Sequence, residues 1–469
     1  QQRFQHILVD EFQDTNAVQY AWLRILAGKV SAVTAVGDDD QSIYGWRGAK
    51  VENILSYERD FPGTHIVKLE QNYRSTANIL LAANAVIDKN PERLGKVRWT
   101  DAGEGETIAL YAAFNEHDES RYIADRIQSW VNDGNRREDA AILYRSNAQS
   151  RVLEAALLQA DIPYRIYGGQ RFFERLEVKN ALAYLRLMLN CHDDVAFERV
   201  INTPTRGIGD RTLELIRQLA REQETSMWGA SVIIVKESRL AARAINAVAM
   251  FIELINEMSG QHDEVTLAEQ AENAIQHSGL IEMHRREKGE RGQARVENLE
   301  ELVSACRNFD PEDHDLAVLP QFLDQVALDS GDRQADEDQD AVQLMTLHSA
   351  KGLEFPLVFI AGMEENLFPH KMSLDEPGRL EEERRLAYVG ITRAKQKLYI
   401  TFAESRSIYG SESFNSISRF VRDIPKVVIE GVRLQNTIAR PTSYAAGAMC
   451  SDQGDVTVLQ LGLSVNHNV

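Results

Sequence analysis

The chain has 469 residues, enough for roughly two to four domains that each bury a core of their own. Hydrophobic residues make up 43% and charged residues 26%, as in an ordinary globular protein, and no run of about 18 apolar residues indicates a membrane span. The net charge of −19 excludes a protein that coats nucleic acid through a generally basic surface. It permits a narrow channel that is locally basic or aromatic.

The three cysteines, Cys191, Cys306 and Cys450, are far apart and form no C-x-x-C pair, so the sequence does not support structural zinc or an iron–sulfur cluster. Isolated thiols are typical of a reducing cytosol, and we expect a cytoplasmic protein. The opening residues, "QQRFQHILVD", lack the basic start and apolar core of a signal peptide. They also lack an initiator Met, so we expect the chain to begin inside a longer protein.

Short apolar runs predict strands at both ends of the chain. "HILVDE" and "SAVTAVGDDD" are each followed by acids and then by helix-like sequence, which is typical of buried parallel strands in an α/β sheet. "GETIALYAAF" and "DAAILYRS" continue this pattern from about residue 105 to 146. Strand-like sequence returns in "AVQLMTLHSAKGLEFPLVFIAGMEE" after an acidic loop, "DSGDRQADEDQD".

Between about residues 170 and 335 the pattern is helical. "EVKNALAYLRLMLN", "RTLELIRQLAREQ" and "ARVENLEELVSACRNF" place apolar residues three and four apart, with few strand signals. This block is either a separate sequential domain or an insertion. Because short strands return after it, the sequence favours an α/β protein with a mostly helical domain inserted into it.

Asp10 and Glu11 follow the first predicted strand. Ligands of open α/β sheets bind outside the carboxyl ends of strands, where this pair is expected to lie. One carboxylate can hold Mg²⁺ while its neighbour positions or deprotonates an attacking water. The alternative is a solvated acidic turn, but "FQDT" directly after and "VGDDDQS" about 26 residues later favour the metal site.

The segment "VGDDDQSIYGWRGA", residues 36–49, combines a glutamine with two aromatic rings and a guanidinium. The amide of Gln41 can contact a terminal phosphate and its water. Tyr44, Trp46 and Arg47 lie on a glycine-bounded loop, and aromatic rings there can stack on unpaired bases without demanding a particular sequence. The alternative places the rings in the core and the arginine on the surface.

Two arginines are candidates for contact with a γ-phosphate. "EQNYRST" supplies Arg74 beside Tyr73, whose ring can stack on a purine, although a salt bridge at a helix start would explain the pair equally well. Arg393 follows the charged segment "EEERRLAYVGITRA". A solvated charge run explains Glu381 to Arg385 but not the apolar residues that lead into Arg393.

Two further loops are candidates for phosphodiester contact. "MTLHSAKGLEF" places Thr346 and His348 after a strand, and such contacts position a nucleic-acid strand without reading its sequence. "TPTRGIGDRT" places Gly207 and Gly209 before a helix start, where backbone N–H groups can bind phosphate. A tight structural turn explains this second motif as well.

Taken together and in this order, "LVDEFQDTN", "VGDDDQSIYGWRGA", "LEQNYRST", "TLHSAKGLEFP" and "RRLAYVGITRA" resemble the UvrD/Rep/PcrA group of superfamily 1 DNA helicases. The resemblance extends from residue 4 to about 425. It implies RecA-like parallel-sheet motor domains, a first one that is partial and a second with the helical insertion, and ATP bound between them. The implied domain limits are 1–68, 69–169 with 339–430, and 170–338 for the insertion, followed by a poorly ordered tail at 431–469.

The resemblance also implies roles for individual residues. Asp10 and Glu11 would serve Mg²⁺ and water activation. The residues implied in catalysis are Glu11, Gln41, Arg74 and Arg393. The residues implied in nucleotide binding are Tyr73, Arg74, Gly352, Glu354 and Arg393. The residues implied in DNA binding are Tyr44, Trp46, Arg47, Thr346 and His348 along the track, Tyr409 at the duplex junction, and Gly207 and Gly209 on the duplex ahead.

One family motif is absent from the sequence, the phosphate loop G-x-x-x-x-G-K-[ST]. Gly28-Lys29 and Gly95-Lys96 are each followed by valine and lack the first glycine. We therefore expect a fragment of an ATP- and Mg²⁺-dependent 3′–5′ DNA helicase of DNA repair that acts on single strands and junctions as a monomer or DNA-induced dimer. The alternatives are an ATPase-inactive DNA- or protein-binding piece and, from mechanism alone, an RNA helicase.

Overall fold

The computed structural model describes residues 4–432 except 29–31, 92, 261–264, 288, 332–334, 336–338 and 375. Apart from its first two residues, the predicted tail at 431–469 lies outside these residues. The strands are β1 (His6–Val9), β2 (Ala32–Ala35), β3 (Ile108–Ala113), β4 (Ala140–Tyr144), β5 (Tyr164–Ile166), β6 (Val342–Thr346), β7 (Phe355–Ile360), β8 (Ala394–Ala403), β9 (Arg406–Ile408), β10 (Ser411–Ser413) and β11 (Ile429–Gly431).

The helices before the return to the sheet are α1 (Ala17–Ala27), α2 (Glu52–Leu55), α3 (Tyr57–Asp60), α4 (Ala77–Ile87), α5 (Glu116–Asn132), α6 (Ser150–Gln159), α7 (Leu176–Leu189), α8 (Asp194–Val200), α9 (Asp210–Glu222), α10 (Met227–Lys236), α11 (Ala242–Ser259), α12 (Leu267–Ser278), α13 (Leu280–Arg285), α14 (Glu290–Arg307) and α15 (Val318–Gly331). Two follow the return, α16 (Arg379–Ile391) and α17 (Arg419–Arg422). Among the described residues, none of these helices combines the length and the apolar character needed to cross a bilayer.

A seven-stranded sheet forms the centre of the structure, in the order β11-β3-β8-β7-β4-β6-β5. Every neighbouring pair in it is parallel. β4 is buried along its whole length, as expected for a central strand covered by helices on both faces. The predicted α/β fold class is therefore confirmed.

The helical block is an insertion between two neighbouring strands of this sheet. The chain leaves the sheet at the end of β5 and returns at β6, and the two strands pair, with Tyr164 opposite Val342. Helices α7–α15 lie between them and bury a separate core around Tyr184, Phe197 and Phe251. The insertion predicted from the sequence is confirmed, while the residue limits of the domains remain our proposal.

β1 and β2 form a second, two-stranded parallel sheet, in which Val9 lies opposite Ala35. α1 follows β1 and begins at Asn16, whose side chain accepts a hydrogen bond from the backbone N–H of Gln19 while the Gln19 side chain bonds back. Phe12 is buried beneath this helix. These contacts fix the carboxyl end of β1, where the first candidate site residues lie.

Candidate functional site

Asp10 and Glu11 lie at the carboxyl end of β1 and are both exposed. Glu11 has a φ of 48°, an uncommon left-handed conformation for a glutamate, and its backbone N–H donates to Asp10 Oδ1 at 2.8 Å. Gln13 Nε2 donates to Glu11 Oε2 at 2.5 Å. The two carboxylates thus form an accessible pair of oxygen ligands, which is the donor chemistry that fits Mg²⁺.

The loop that carries Gln41 packs against this strand end. Gln13 Oε1 accepts the backbone N–H of Asp38 at 3.0 Å, and a Cβ added to Gly37 would lie 2.6 Å from the same oxygen. A side chain at position 37 would therefore require Gln13 to shift. Gln41 Nε2 donates to Asp38 Oδ2 at 2.7 Å, so the glutamine amide is already oriented by a neighbouring carboxylate.

Three cations of the segment that follows α4 hold the same loop. Arg93 Nε donates to Asp40 Oδ1 at 2.8 Å, and the ammonium of Lys96 and the guanidinium of Arg98 both contact Asp38. Burial raises the pKa of Asp38, but Lys96 and Arg98 outweigh it, so the pKa lies below its usual value. The grouped carboxylates of Asp38, Asp39 and Asp40 are therefore neutralised by protein cations.

Arg74 is paired with Glu354, which directly precedes β7 and so lies at the amino end of that strand. Arg74 Nε lies 2.5 Å from Glu354 Oε2, and Lys395 Nζ lies 2.7 Å from Glu354 Oε1. Hydrogen bonds from Lys395 and Arg74 lower the pKa of Glu354 to about 2. Both cations favour the ionised carboxylate, which remains an acceptor at neutral pH.

Arg393 is buried, and the hydrogen-bond acceptors of its guanidinium among the described residues are all neutral. Its Nε donates to the Val389 carbonyl at 3.0 Å, Nη1 to the Leu353 carbonyl at 3.0 Å and Nη2 to Thr392 Oγ1 at 3.1 Å. Within the described part of the chain, no carboxylate lies at ion-pair distance from it. Burial, followed by the nearby charge of Arg74, lowers the pKa of Arg393 to about 10, so the side chain is still a cation at neutral pH.

The two arginines meet at Thr392, because Arg74 Nη1 donates to its carbonyl at 3.4 Å. Tyr73, directly before Arg74, is 84% exposed, and its hydroxyl donates to Gln71 Oε1 at 2.8 Å. Its ring is free to stack on a flat ligand. A buried guanidinium without a carboxylate partner in the described residues suits a phosphate, and the exposed ring of Tyr73 suits a base, so the group offers partners for the two ends of a nucleotide.

Gly352 lies in the loop that connects β6 and β7, with a φ of 86° that favours glycine. A Cβ added there would have no heavy atom within 4 Å, so this side of the turn is open. Glu354 follows two residues later. The structure therefore brings together Tyr73, Arg74, Gly352, Glu354, Thr392 and Arg393 as one group.

The predicted aromatic residues form a second group at the other end of the same loop. The Trp46 ring centroid lies 6.4 Å from that of Tyr44 and 6.3 Å from that of His348, both edge-to-face. The Arg47 guanidinium lies 4.5 Å above the Trp46 ring. Thr346, at the end of β6, bonds to Ser349 Oγ at 3.0 Å, which shapes the turn that presents His348.

Two features define the chemistry of this aromatic group. Burial, with Arg145 as the next cause, lowers the pKa of His348 to about 3, so the ring is neutral and half-buried at physiological pH. Trp46 Nε1 is buried without a hydrogen-bond partner in the described chain. The group is therefore flat and uncharged except for Arg47, which suits stacking on bases.

α16 contacts the loop that carries the aromatic residues through two hydrogen bonds. Glu382 Oε1 accepts the backbone N–H of Gly45 at 2.7 Å, and Arg385 Nε donates to the Ser42 carbonyl at 2.7 Å. A Cβ on Gly45 would lie 2.6 Å from Glu382 Oε2. The same helix ends two residues before Arg393, so it connects the two groups.

Tyr409 lies outside both groups. It occupies the turn between β9 and β10 with a φ of 56°, and its backbone N–H contacts Glu301 Oε2 at 3.4 Å. The next residue, Gly410, donates its N–H to Ser304 Oγ at 2.8 Å. The hairpin therefore packs against α14 of the helical insertion.

Gly207 and Gly209 also lie apart, in the exposed turn that begins α9. Gly207 has a φ of 81°, and a Cβ on either glycine would meet nothing within 4 Å. Arg206 does not point outward as a phosphate ligand, because its Nη2 donates to the Tyr184 hydroxyl at 2.7 Å and to the Ser278 carbonyl at 3.0 Å. The turn thus offers backbone groups and an open surface.

The fold and these groups define an α/β protein whose candidate site residues lie at the ends of its parallel strands. Residues 67–405 match the model of the UvrD-like helicase C-terminal domain, and residues 1–62 match that of the UvrD/REP helicase N-terminal domain. The chain belongs to the UvrD-like helicase family.

Curated relatives agree with this membership. DNA helicase II of Escherichia coli (strain K12) is 59% identical over 445 residues, which cover 94% of this chain and 62% of the relative. DNA helicase II of Salmonella typhimurium is 58% identical over 99% of this chain and 65% of the relative. PcrA of Bacillus subtilis is 43% identical over 95% of this chain and 63% of the relative. The chain thus spans 62–65% of the length of these three relatives.

Proposed function

We propose that this chain belongs to an ATP-dependent 3′–5′ DNA helicase that translocates on single-stranded DNA in DNA repair. The observation that carries the proposal is the loop from Thr346 to Glu354. His348 at one end of it packs against Trp46, and Glu354 at the other end pairs with Arg74. One short loop therefore contacts both the aromatic group and the arginine group, as a motor that couples a nucleotide to a DNA strand requires.

For the nucleotide, we infer that Tyr73 stacks on the adenine, that Glu354 holds the ribose, and that Gly352 belongs to the same binding site. Arg74 and Arg393 would contact the γ-phosphate, and the absence of a carboxylate at ion-pair distance from Arg393 in the described structure supports this role. An arginine at this place would stabilise the negative charge that develops on the γ-phosphate in the transition state.

At the end of β1, Asp10 and Glu11 are the proposed Mg²⁺ ligands, and Glu11 also orients the attacking water. When bound, Mg²⁺ would supply charge neutralisation at the phosphates. The Gln41 carbonyl accepts a hydrogen bond from Lys351, whose ammonium also lies near Glu11 and the Tyr44 ring, and this supports the proposed contact of Gln41 with both the γ-phosphate and the DNA-binding loop.

For DNA, we infer a track formed by Tyr44, Trp46, Arg47, Thr346 and His348. Stacking on such a surface tolerates any base sequence, which suits translocation. Tyr409 is the proposed contact at the duplex junction, and the turn at Gly207 and Gly209 is the proposed contact with duplex ahead. Because both lie outside the aromatic group, they would meet the DNA at separate points.

The remaining features of the proposal follow from family membership. They comprise the domain limits 1–68, 69–169 with 339–430, and 170–338, a cytoplasmic location, nucleotide-excision and mismatch repair, and action as a monomer or a DNA-induced dimer. The relatives are named as DNA helicases and ATP-dependent DNA helicases, and this supports DNA over RNA as the substrate.

The test is ATP hydrolysis by this purified chain, with and without oligo-dT, beside fluorescence anisotropy with labelled oligo-dT. DNA binding without turnover is expected of this chain, because G-x-x-x-x-G-K-[ST] is absent from its sequence, and it supports the proposed DNA track. DNA-stimulated turnover would mean that other residues cradle the phosphates and would overturn the proposed nucleotide site. The alternative is an ATPase-inactive DNA-binding piece. Failure to bind DNA overturns the assignment of the aromatic group.

A further inference from the structure

Lys351 lies in the loop between β6 and β7, three residues after His348 and three before Glu354, and only 6% of its side chain is exposed. A lysine ammonium has three N–H donors. Its Nζ donates hydrogen bonds to Asp14 Oδ2 at 2.6 Å and to the Gln41 carbonyl at 2.9 Å, and it forms an ion pair with Glu11 Oε2 at 3.2 Å. The ammonium therefore contacts three acceptor oxygens, one of them through charge alone.

All three acceptors belong to the segments around β1 and β2, whereas Lys351 belongs to the central sheet. The same Nζ lies 5.2 Å from the ring centroid of Tyr44 in the aromatic group. One ammonium thus touches Glu11 at the end of β1, the backbone of Gln41 and a ring of the proposed DNA track.

Asp14 keeps Lys351 in this position. Burial raises the pKa of Asp14, with Lys351 working against it, and Asp14 Oδ1 is buried without a hydrogen-bond partner in the described chain. The carboxylate therefore depends on the ammonium, because a buried charge that loses its partner is strongly disfavoured. Lys351 can shift with this carboxylate but cannot leave it at low cost.

A backbone contact connects Lys351 to the aromatic group. The His348 carbonyl is shared by the Tyr44 hydroxyl and the Lys351 backbone N–H, each of which donates to it at 3.4 Å. A base that stacks on Tyr44 and Trp46 would therefore act on the turn that carries Lys351.

We propose that Lys351 is a positioning residue through which DNA on the aromatic group controls the placement of Glu11. This inference rests on the proposed function, since it needs Tyr44 and Trp46 to bind DNA and Glu11 to act on water. Lys351 contacts Glu11 and orients its carboxylate, and it takes no part in bond making.

The test follows backbone amide exchange of the full chain by mass spectrometry, with and without oligo-dT. Residues 42–49 report DNA binding at the aromatic group, and residues 9–16 report the response at Glu11. In the wild type, oligo-dT is expected to slow exchange about threefold or more in both segments. In Lys351→Gln, the slowing at 42–49 remains and the slowing at 9–16 is lost.

Two variants separate positioning from simple loss of structure. Lys351→Arg keeps the charge and is expected to restore part of the response at 9–16. Lys397→Gln removes a lysine that pairs with Glu106 at 3.0 Å on another part of the sheet, and is expected to behave as the wild type. Because each variant is compared with itself, with and without DNA, a general change in stability cancels.

Equal slowing at 9–16 in the wild type and Lys351→Gln would overturn the proposal for Lys351. No change at 42–49 in the wild type would instead overturn the DNA track, and with it the proposed function. The two failures are therefore distinguishable in one data set.

Discussion

Arg74 and Glu354 form a direct ion pair, with 2.5 Å between Arg74 Nε and Glu354 Oε2, although the two residues are proposed to bind different parts of one nucleotide. A bound nucleotide would have to share or replace this contact. Arg393, one contact away through Thr392, has only neutral partners within the described chain. We infer that Arg74 is the arginine whose contacts change on nucleotide binding, while Arg393 is already in place.

The ion pair of Glu354 predicts that the stability of the folded chain depends on pH. The pKa of Glu354 in the folded chain is about 2, below its ordinary 4.5, so its stabilising contribution is present above pH 4.5 and is lost as the pH falls from 4.5 towards 2. Because 41% of the Glu354 side chain is exposed, we expect the ion pair to contribute less than about 1 kcal/mol to the free energy of unfolding. The difference in melting temperature between the wild type and Glu354→Gln at pH 6 should therefore begin to shrink below pH 4.5 and vanish only near pH 2.

Glu282→Gln serves as the control, since it breaks a surface pair with Arg285 in the helical insertion. A difference in melting temperature between the wild type and Glu354→Gln that persists unchanged from pH 6 to pH 2 would contradict the assigned cause.

Trp46→Ala should weaken binding of single-stranded DNA by about 1–3 kcal/mol, or roughly 5- to 150-fold, the worth of one stacked base. The reason is that the ring lies between Tyr44 and His348 in the proposed track. Anisotropy with labelled oligo-dT measures the effect. Trp22→Ala removes a tryptophan that is 64% exposed on α1 and should leave the affinity unchanged. An unaltered dissociation constant for Trp46→Ala would remove this residue from the track.

Arg393→Ala should lower ATP turnover by about 10³-fold or more in a form of the protein that hydrolyses ATP, while single-strand affinity stays within about twofold. The guanidinium makes no contact with the aromatic group in the contacts described above, so the DNA track keeps its shape. Steady-state ATP hydrolysis checks the loss of turnover, and oligo-dT binding by the same preparation checks that the single-strand affinity is kept. A near-normal kcat would exclude the role in phosphate contact.

Gly207→Ala should be strained by about 1 kcal/mol, because the φ of 81° places an alanine in the left-handed region. The adjacent position offers a matched control, since Gly209 has a φ of −86° that alanine adopts freely. We expect Gly207→Ala to weaken binding of a 3′-tailed duplex while the affinity for oligo-dT is kept. If both glycine variants bind the tailed duplex equally well, the turn is structural and not a duplex contact.

The sequence was sufficient to predict most of the architecture. "HILV", "AVTA" and "IALYAA" are short apolar runs next to acids or glycine, and all three form parallel strands. The helical insertion followed from a change of hydrophobic period and its later reversal. Both signals are local, and local patterns survive in the fold because strands and helices bury one face at a fixed period.

The contacts between segments could not be predicted. Lys351 looked like any lysine in a loop, and its three acceptors are more than 300 residues away in sequence. The cations Arg93, Lys96 and Arg98 come from a connecting segment with no period to mark them. Tyr409 packs against α14 through backbone groups, which leave no signal in residue type.

The position of α16 between two contacts limits insertions and deletions in this helix. Glu382 near its start holds Gly45, and Arg393 follows its end, so the helix sets both the distance and the rotation between the two contacts. Each residue of an α-helix advances it by about 1.5 Å and turns it by about 100°. A single inserted or deleted residue within α16 would therefore swing Arg393 to another side of the helix, whereas substitutions on its surface would not. We therefore expect the length of α16 to tolerate change less than the residues on its surface do.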